Sequence, residues 1–151
     1  MFATRDYSIS RITRRCILIM QKWPIWPGHY RYKLLRMTGM VIDKCYVGCN
    51  VSFDGIRPDL IKIEEGATIT TGTVILTHFF DSKAKTFEYG PVTIRRGVFI
   101  GMNTLIVKPV IIGCNSVIGA GSVVTKSIGD NEIWAGNPAK FIRKYEKSGN
   151  N

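Results

Sequence analysis

A branched aliphatic residue recurs at every sixth position through much of this 151-residue chain. Ile63, Ile69 and Ile75 form one run, and Ile94, Ile100, Ile106, Ile112, Ile118 and Val124 form a second. An α-helix repeats at about 3.6 residues and a strand at about 2, so neither explains a strict six. The neighbouring columns agree. Three residues after each aliphatic stand Gly66, Gly72, Gly97, Asn103, Pro109, Asn115, Gly121 and Ser127, all turn formers. One position further on stand Ala67, Thr73, Val98, Thr104, Val110, Ser116 and Ser122, all small or β-branched. Each hexad is therefore a short strand plus a corner.

Three hexads make one coil, which stacks Ile94 under Ile112, Ile100 under Ile118 and Ile106 under Val124. Such aliphatic ladders bury a continuous core that no single repeat could bury alone. Val41, Val47 and Phe53 continue the column upstream, offset by an insertion from Gly55 to Leu60. The expected fold is all-β, a parallel β-helix over residues 40–136. A helical cap is expected over 1–39, and a C-terminal helix and polar tail over 137–151.

In the N-terminal segment, Ser8 or Ser10 is placed to cap a helix running to about Lys22. Ile9, Ile12, Cys16 and Ile19 or Met20 fall near one face of it. The stretch Trp23-Pro24-Ile25-Trp26-Pro27-Gly28 must break that helix, and a second short one is expected from Tyr30 to Met37, ending at Gly39. The simplest reading packs these helices on the end of the solenoid. The sharper one is a basic amphipathic segment in peripheral contact with a membrane, since Arg11, Arg14, Arg15, Lys22, Arg31, Lys33 and Arg36 crowd this quarter of the chain.

The repeat has one defect. From Ile75 to Ile94 is one residue more than a full coil, and Thr77 to Pro91 carries His, Asp, Ser, Lys and Glu in place of aliphatics. A loop thrown out of a regular solenoid usually has a function. Its His78 is one of two histidines, the other being His29, which reads as structural.

The net charge of +10 favours an anionic partner without choosing one; no recognition motif accompanies it, so nucleic acid is not expected. Cys16, Cys45, Cys49 and Cys114 form no CxxC pair, and with two isolated histidines they supply no zinc set, so no metal is expected. They read as small buried thiols in a reducing cytoplasm. The apolar run from Cys16 to Met20 is too short for a secretory signal or a bilayer span.

The run Ile100-Gly101, Ile112-Gly113 and Ile118-Gly119-Ala120-Gly121-Ser122-Val123-Val124-Thr125-Lys126, followed by Ala135-Gly136-Asn137-Pro138-Ala139-Lys140, resembles the hexapeptide-repeat acyltransferases. The branch it looks most like is that of the maltose, galactoside and capsule or lipopolysaccharide O-acetyltransferases, over about residues 35–145. The resemblance implies a left-handed β-helix, a homotrimer, and active sites in clefts between subunits along which acetyl-CoA lies. It also implies transfer of an acetyl group to a hydroxyl of a sugar or polysaccharide precursor. Antibiotic acetylation or amino-sugar N-acetylation is an alternative acceptor chemistry, and a non-enzymatic β-solenoid scaffold an alternative of another class. The γ-class carbonic anhydrases share the repeat but need three His on zinc, and two are present.

The reaction needs a base for the attacking hydroxyl and donors for the oxyanion. The resemblance makes His78 the catalytic base. Asp81 and Glu88, in the same loop, are the candidates to orient its ring. Gly101, with Met102 and Asn103, is the candidate oxyanion corner; a glycine that merely fits the coil is the plainer reading. For acetyl-CoA, Gly119 and Ala120 offer a smooth edge, Thr125 and Lys126 lie beyond it, and Arg143 and Lys144 are further phosphate candidates. The Asn137-Pro138 segment matches the one that packs near adenine in the family.

Overall fold

The computed structural model describes residues 10–24 and 26–144. Two helices, α1 (Arg11–Met20) and α2 (Arg31–Arg36), lead into a succession of two- to five-residue strands. Ser10 caps α1, its hydroxyl accepting the Thr13 N–H at 3.2 Å. Ser8, Ile9 and the expected tail beyond 144 lie outside the described residues.

The strands are β1 (Val41–Ile42), β2 (Tyr46–Val47), β3 (Ser52–Phe53), β4 (Ile61–Ile63), β5 (Thr68–Ile69), β6 (Val74–Ile75), β7 (His78–Asp81), β8 (Thr86–Tyr89), β9 (Val92–Ile94), β10 (Phe99–Ile100), β11 (Leu105–Ile106), β12 (Ile111–Ile112), β13 (Val117–Ile118), β14 (Val123–Val124), β15 (Glu132–Ala135) and β16 (Lys140–Lys144). They wind into three parallel sheets. One runs β1-β4-β9-β12, the second β2-β5-β10-β13-β15 with β16 at its edge, and the third β3-β6-β11-β14. From β1 to β14, apart from the β7–β8 pair, which forms a small antiparallel sheet of its own, successive strands enter different sheets and every third returns to the same one, so the chain is a parallel β-helix.

The register is the one that the hexad predicts: Ile94 pairs with Ile112, Ile100 with Ile118, and Ile106 with Val124. Ile63, Ile69, Ile75 and their partners in the column are fully buried. The corners follow the turn column. Gly66, Gly72, Gly97 and Gly121 have positive φ, as do Asn103 and Asn115, the side chain that best tolerates it after glycine. The small polar column fills the inside of those corners. Thr73, Thr104, Ser116 and Ser122 are buried with their hydroxyls satisfied by main-chain carbonyls, as in the 2.7 Å bond from Thr104 to Gly101 O.

Three expectations are corrected. In the first coil the core position belongs to Ile42, which pairs with Ile63, while Val41 points outward; the column reaches Val47 in five steps here rather than six. In α1, Ile17, Leu18 and the following Gln21 face the body, and the predicted stripe of Ile12, Cys16, Ile19 and Met20 faces outward. Gln21 fixes this orientation, its buried amide donating to Val51 O at 2.8 Å. The described part of the expected C-terminal helix is instead the strand β16, antiparallel to β15. The last coil leaves β15 with an open edge, and Phe141, a strand former, returns to pair with Trp134, while Ile142 falls at a shift in the register. Trp134 stacks edge-on against Phe141 at 6.3 Å.

The cysteines are all free, and only Cys45 is buried; Cys16 is exposed, and Cys49 and Cys114 are half-buried. Burial, reinforced by Asp43 and opposed by Arg36, pushes the Cys45 thiol up to about 12, so it is inert. Among the described residues no helix is long and apolar enough to cross a membrane.

Candidate active site

The defect in the repeat is a hairpin. Strands β7 and β8 pair antiparallel in the register His78–Tyr89, Phe79–Glu88, Phe80–Phe87 and Asp81–Thr86. Its base is closed by the Gly90 N–H on Thr77 O at 2.8 Å and rests on the solenoid corner at Pro109. Gly90 is required there, because a Cβ would lie 2.4 Å from Pro109 Cγ. Lys108 holds the hairpin from the solenoid side, its Nζ 5.5 Å from the Phe79 ring centroid.

His78 sits where the hairpin leaves the coil, and its partner comes from the coil below. Phe53 pairs with Ile75 in the third sheet, so the residue after Phe53 falls beneath the segment after Ile75. That residue is Asp54. Its Oδ2 accepts the His78 Nδ1–H at 2.6 Å, the Thr77 hydroxyl at 2.6 Å and the Thr77 N–H at 2.9 Å. Its Oδ1 accepts the Ile56 N–H at 2.7 Å. The Asp54 side chain has 0% exposure and that of His78 25%. Burial alone would raise the Asp54 carboxyl; the bonds from Thr77, His78 and Ile56 outweigh it and hold the group at about 2. An ionised Asp54 accepts and cannot donate, so Nδ1 is the donor in this pair and Nε2 is the nitrogen that carries the lone pair of the neutral ring.

Neither expected carboxylate holds the ring. Asp81 is spent on the hairpin turn, its Oδ1 accepting the Lys83 and Ala84 N–H groups at 2.8 and 3.3 Å. Glu88 is opposite Phe79, on the face of the hairpin away from His78. The His78 face carries aromatics instead: Phe87 and Tyr89 each lie 6.2 Å from the imidazole, and Phe80 meets Phe87 edge-on at 5.4 Å. Phe80, Phe87 and Tyr89 are exposed. His29 is distant from this site in the chain and stacks edge-on against Tyr46 at 5.2 Å.

The other expected residues are on the solenoid. A Cβ at Gly101 would meet Ala120 N at 2.4 Å, so this glycine is required by the stacking of adjacent coils. Its N–H donates to Ile118 O at 2.8 Å, and that of Asn103 to Thr71 O at 3.0 Å. Neither N–H points free at a reacting atom. Gly119 meets the Ala135 methyl in the same way, and Ala120 is exposed beside it. Thr125 and Lys126 follow β14 as Thr77 follows β6, so Lys126 continues the corner that carries Thr77 and Lys108. Asn137 and Pro138 form the exposed turn between β15 and β16, and Arg143, also exposed, is paired with Ile133 on β16. Among the described residues no group of three or more His, Cys, Asp or Glu could hold a metal ion.

The described residues thus form a parallel β-helix that carries a carboxylate-fixed histidine at the β7–β8 hairpin, and known proteins are similar to this chain over much of that solenoid. Residues 91–126 match the family described as bacterial transferase hexapeptide (six repeats). Protein CapG of Staphylococcus aureus is 39% identical over 121 residues, 76% of this chain and 70% of its own. The galactoside O-acetyltransferase of Escherichia coli is 52% identical over 86 residues, 57% of this chain and 42% of its own. The crystal structure of a maltose O-acetyltransferase from Clostridium difficile superposes with a TM-score of 0.67 at 28% identity, covering 91% of this chain and 87% of that one. The chain belongs to the hexapeptide-repeat acyltransferases. The chain spans about a third of the length of some curated relatives, 35% of a putative acetyltransferase of Schizosaccharomyces pombe and 30% of one of Saccharomyces cerevisiae.

Proposed function

We propose that this chain is an acetyl-CoA-dependent O-acetyltransferase acting on a hydroxyl of a sugar or polysaccharide precursor, with His78 as general base. The observation that carries this reading is the Asp54–His78 pair, which engages Nδ1 and leaves Nε2 as the ring nitrogen for base chemistry. Nε2 takes the proton of the acceptor hydroxyl as its oxygen attacks the thioester carbonyl. Asp54 stabilises the imidazolium that forms, without itself taking the proton. When the tetrahedral intermediate collapses, the C–S bond breaks and the imidazolium returns the proton to the leaving thiolate. The products are the acetyl ester and free CoA.

With the N–H groups of Gly101 and Asn103 committed to the coil, Met102 between them is the remaining candidate for the oxyanion on this corner. The donor lies along the edge that runs from His78 past Lys108 to Lys126, toward Gly119, Ala120, Thr125, Asn137, Pro138 and Arg143. The lysines meet its phosphates as point charges. The aromatic face of the hairpin receives the acceptor, since flat rings beside a base suit the apolar face of a sugar ring.

Family membership supports a left-handed coil and a homotrimer with the site between subunits. Exposed Phe99, Leu105 and Ile111 on the outer faces of the coils provide apolar surface for such packing. The free cysteines suit a cytoplasmic setting. The reading is tested by incubating the protein with acetyl-CoA and a panel of glycosides and amino sugars while following free CoA. Turnover with hydroxyl acceptors supports it; turnover with amines alone replaces O- with N-acetylation. No turnover, together with no rise in melting temperature at millimolar acetyl-CoA, leaves a scaffold.

A further inference from the structure

We propose that the outward face of α1, together with Trp23, docks on a membrane surface bearing anionic lipid. The helix has two apolar faces, and only one is used. Ile17 and Leu18 are buried against the solenoid, while Ile12, Cys16 and Ile19 fall at i, i+4 and i+7 on the opposite side. Trp23 extends the same stripe, since its N–H still bonds Met20 O and continues the helical turn. Ile12 is 76% exposed, and Ile19 and Trp23 are 60% exposed. Polar side chains at these positions would have left the packing of α1 unchanged, so the body of the protein does not explain the apolar choice.

The charge beside the stripe selects the occupant. Arg11, Arg15 and Lys22 fall along one flank of it, by the same helical periodicity. From residue 10 to residue 42 the chain contains seven basic residues and no acidic one. The rest of the chain is also net basic, so a second copy carries the same overall sign of charge as this segment. An anionic leaflet supplies both requirements, negative headgroups for the arginines and an acyl boundary for Ile12 and Ile19. Trp23 belongs at the level between them. The helix would lie in the plane of the surface, with Gln21 anchoring its inner side to Val51 as it does here.

Co-sedimentation of the full chain with vesicles tests this. Phosphatidylcholine vesicles are compared with vesicles in which a third of the lipid is phosphatidylglycerol. The expected result is binding to the anionic vesicles only, weakened when the Debye length falls from about 10 Å at 0.1 M salt to about 3 Å at 1 M. A basic side chain near such a surface contributes about fivefold in partition, so R11E/R15E should lower binding at least ~25-fold. I12S/I19S/W23S, which alters only exposed side chains, should abolish it with the melting temperature retained. Three results overturn the proposal: no binding to anionic vesicles, binding that both variants leave unchanged, or a loss of oligomeric state in the serine variant, which would make the face a contact between copies. CoA release serves as a separate readout, because docking does not depend on the proposed chemistry.

Discussion

Asp54 Oδ2 lies 2.6 Å from His78 Nδ1 across 24 positions of sequence, because Phe53 and Ile75 stand in register one coil apart. The carboxylate accepts from the backbone and hydroxyl of Thr77 as well, so the imidazole is held by a group that is itself held. Asp54 is a positioning residue: it sets which ring nitrogen can act as base.

Asp54→Asn should therefore impair catalysis more than folding. An Asn amide can donate to Nδ1, which moves the ring proton to Nε2 and removes the base. The expected loss in kcat is ~10²–10⁴-fold with little change in the KM for acetyl-CoA. Steady-state kinetics over a pH series checks it; a purely structural role would leave the pH profile of the residual activity unchanged.

The same carboxylate makes an acid-sensitive contribution to stability. Its folded pKa, about 2, is depressed below the ordinary value of 3.8. The contribution is therefore fully present above pH ~4 and disappears as pH falls from about 4 to about 2, amounting to about 2 kcal/mol. Urea unfolding of wild type and Asp54→Asn across that range should show their stability difference narrowing with falling pH.

Phe87→Ala should separate acceptor binding from chemistry. Phe87 is exposed on the His78 face of the hairpin, with its ring against those of His78 and Phe80. The KM for the acceptor should rise about tenfold, as expected for a lost stacking contact, while the KM for acetyl-CoA holds. An unchanged acceptor KM would remove the aromatic face from the binding site.

The solenoid itself is tested at two kinds of position. Ile100→Ala empties a fully buried rung between Ile69 and Ile118 and should cost about 2–5 kcal/mol. Gly101→Ala adds only one methyl, but drives it against the Ala120 main chain; the cost should be about 1–3 kcal/mol, unless the coils separate further. Calorimetric melting of both variants measures this.

The core was legible in the sequence because a hexad column converts directly into register: Ile94, Ile100 and Ile106 met their predicted partners. Asp54 is not legible from the loop of His78 alone, because it lies 24 positions away in the sequence. The signal was available in the column, since Asp54 follows Phe53 as Leu76 follows Ile75. Asp81 and Glu88 failed for local reasons, a turn that consumes one and a strand alternation that turns the other away. The exposed stripe on α1 was legible as a stripe but not in direction, because Ile17 and Leu18 give the helix a second apolar face and periodicity alone cannot choose between them. β16 escaped because a five-residue strand is specified by the open edge of β15, a tertiary feature with no period of its own.

The proposed chemistry depends most directly on His78. Its Nδ1 is held by Asp54 and its side chain is 25% exposed, so His78→Ala should leave the solenoid and its acetyl-CoA-dependent rise in melting temperature intact. The measurement is the rate of CoA release with a hydroxyl acceptor that the wild type turns over. A fall of ~10²–10⁴-fold in kcat with the acetyl-CoA stabilisation retained is the predicted result. Turnover equal to wild type in a properly folded His78→Ala protein would contradict it.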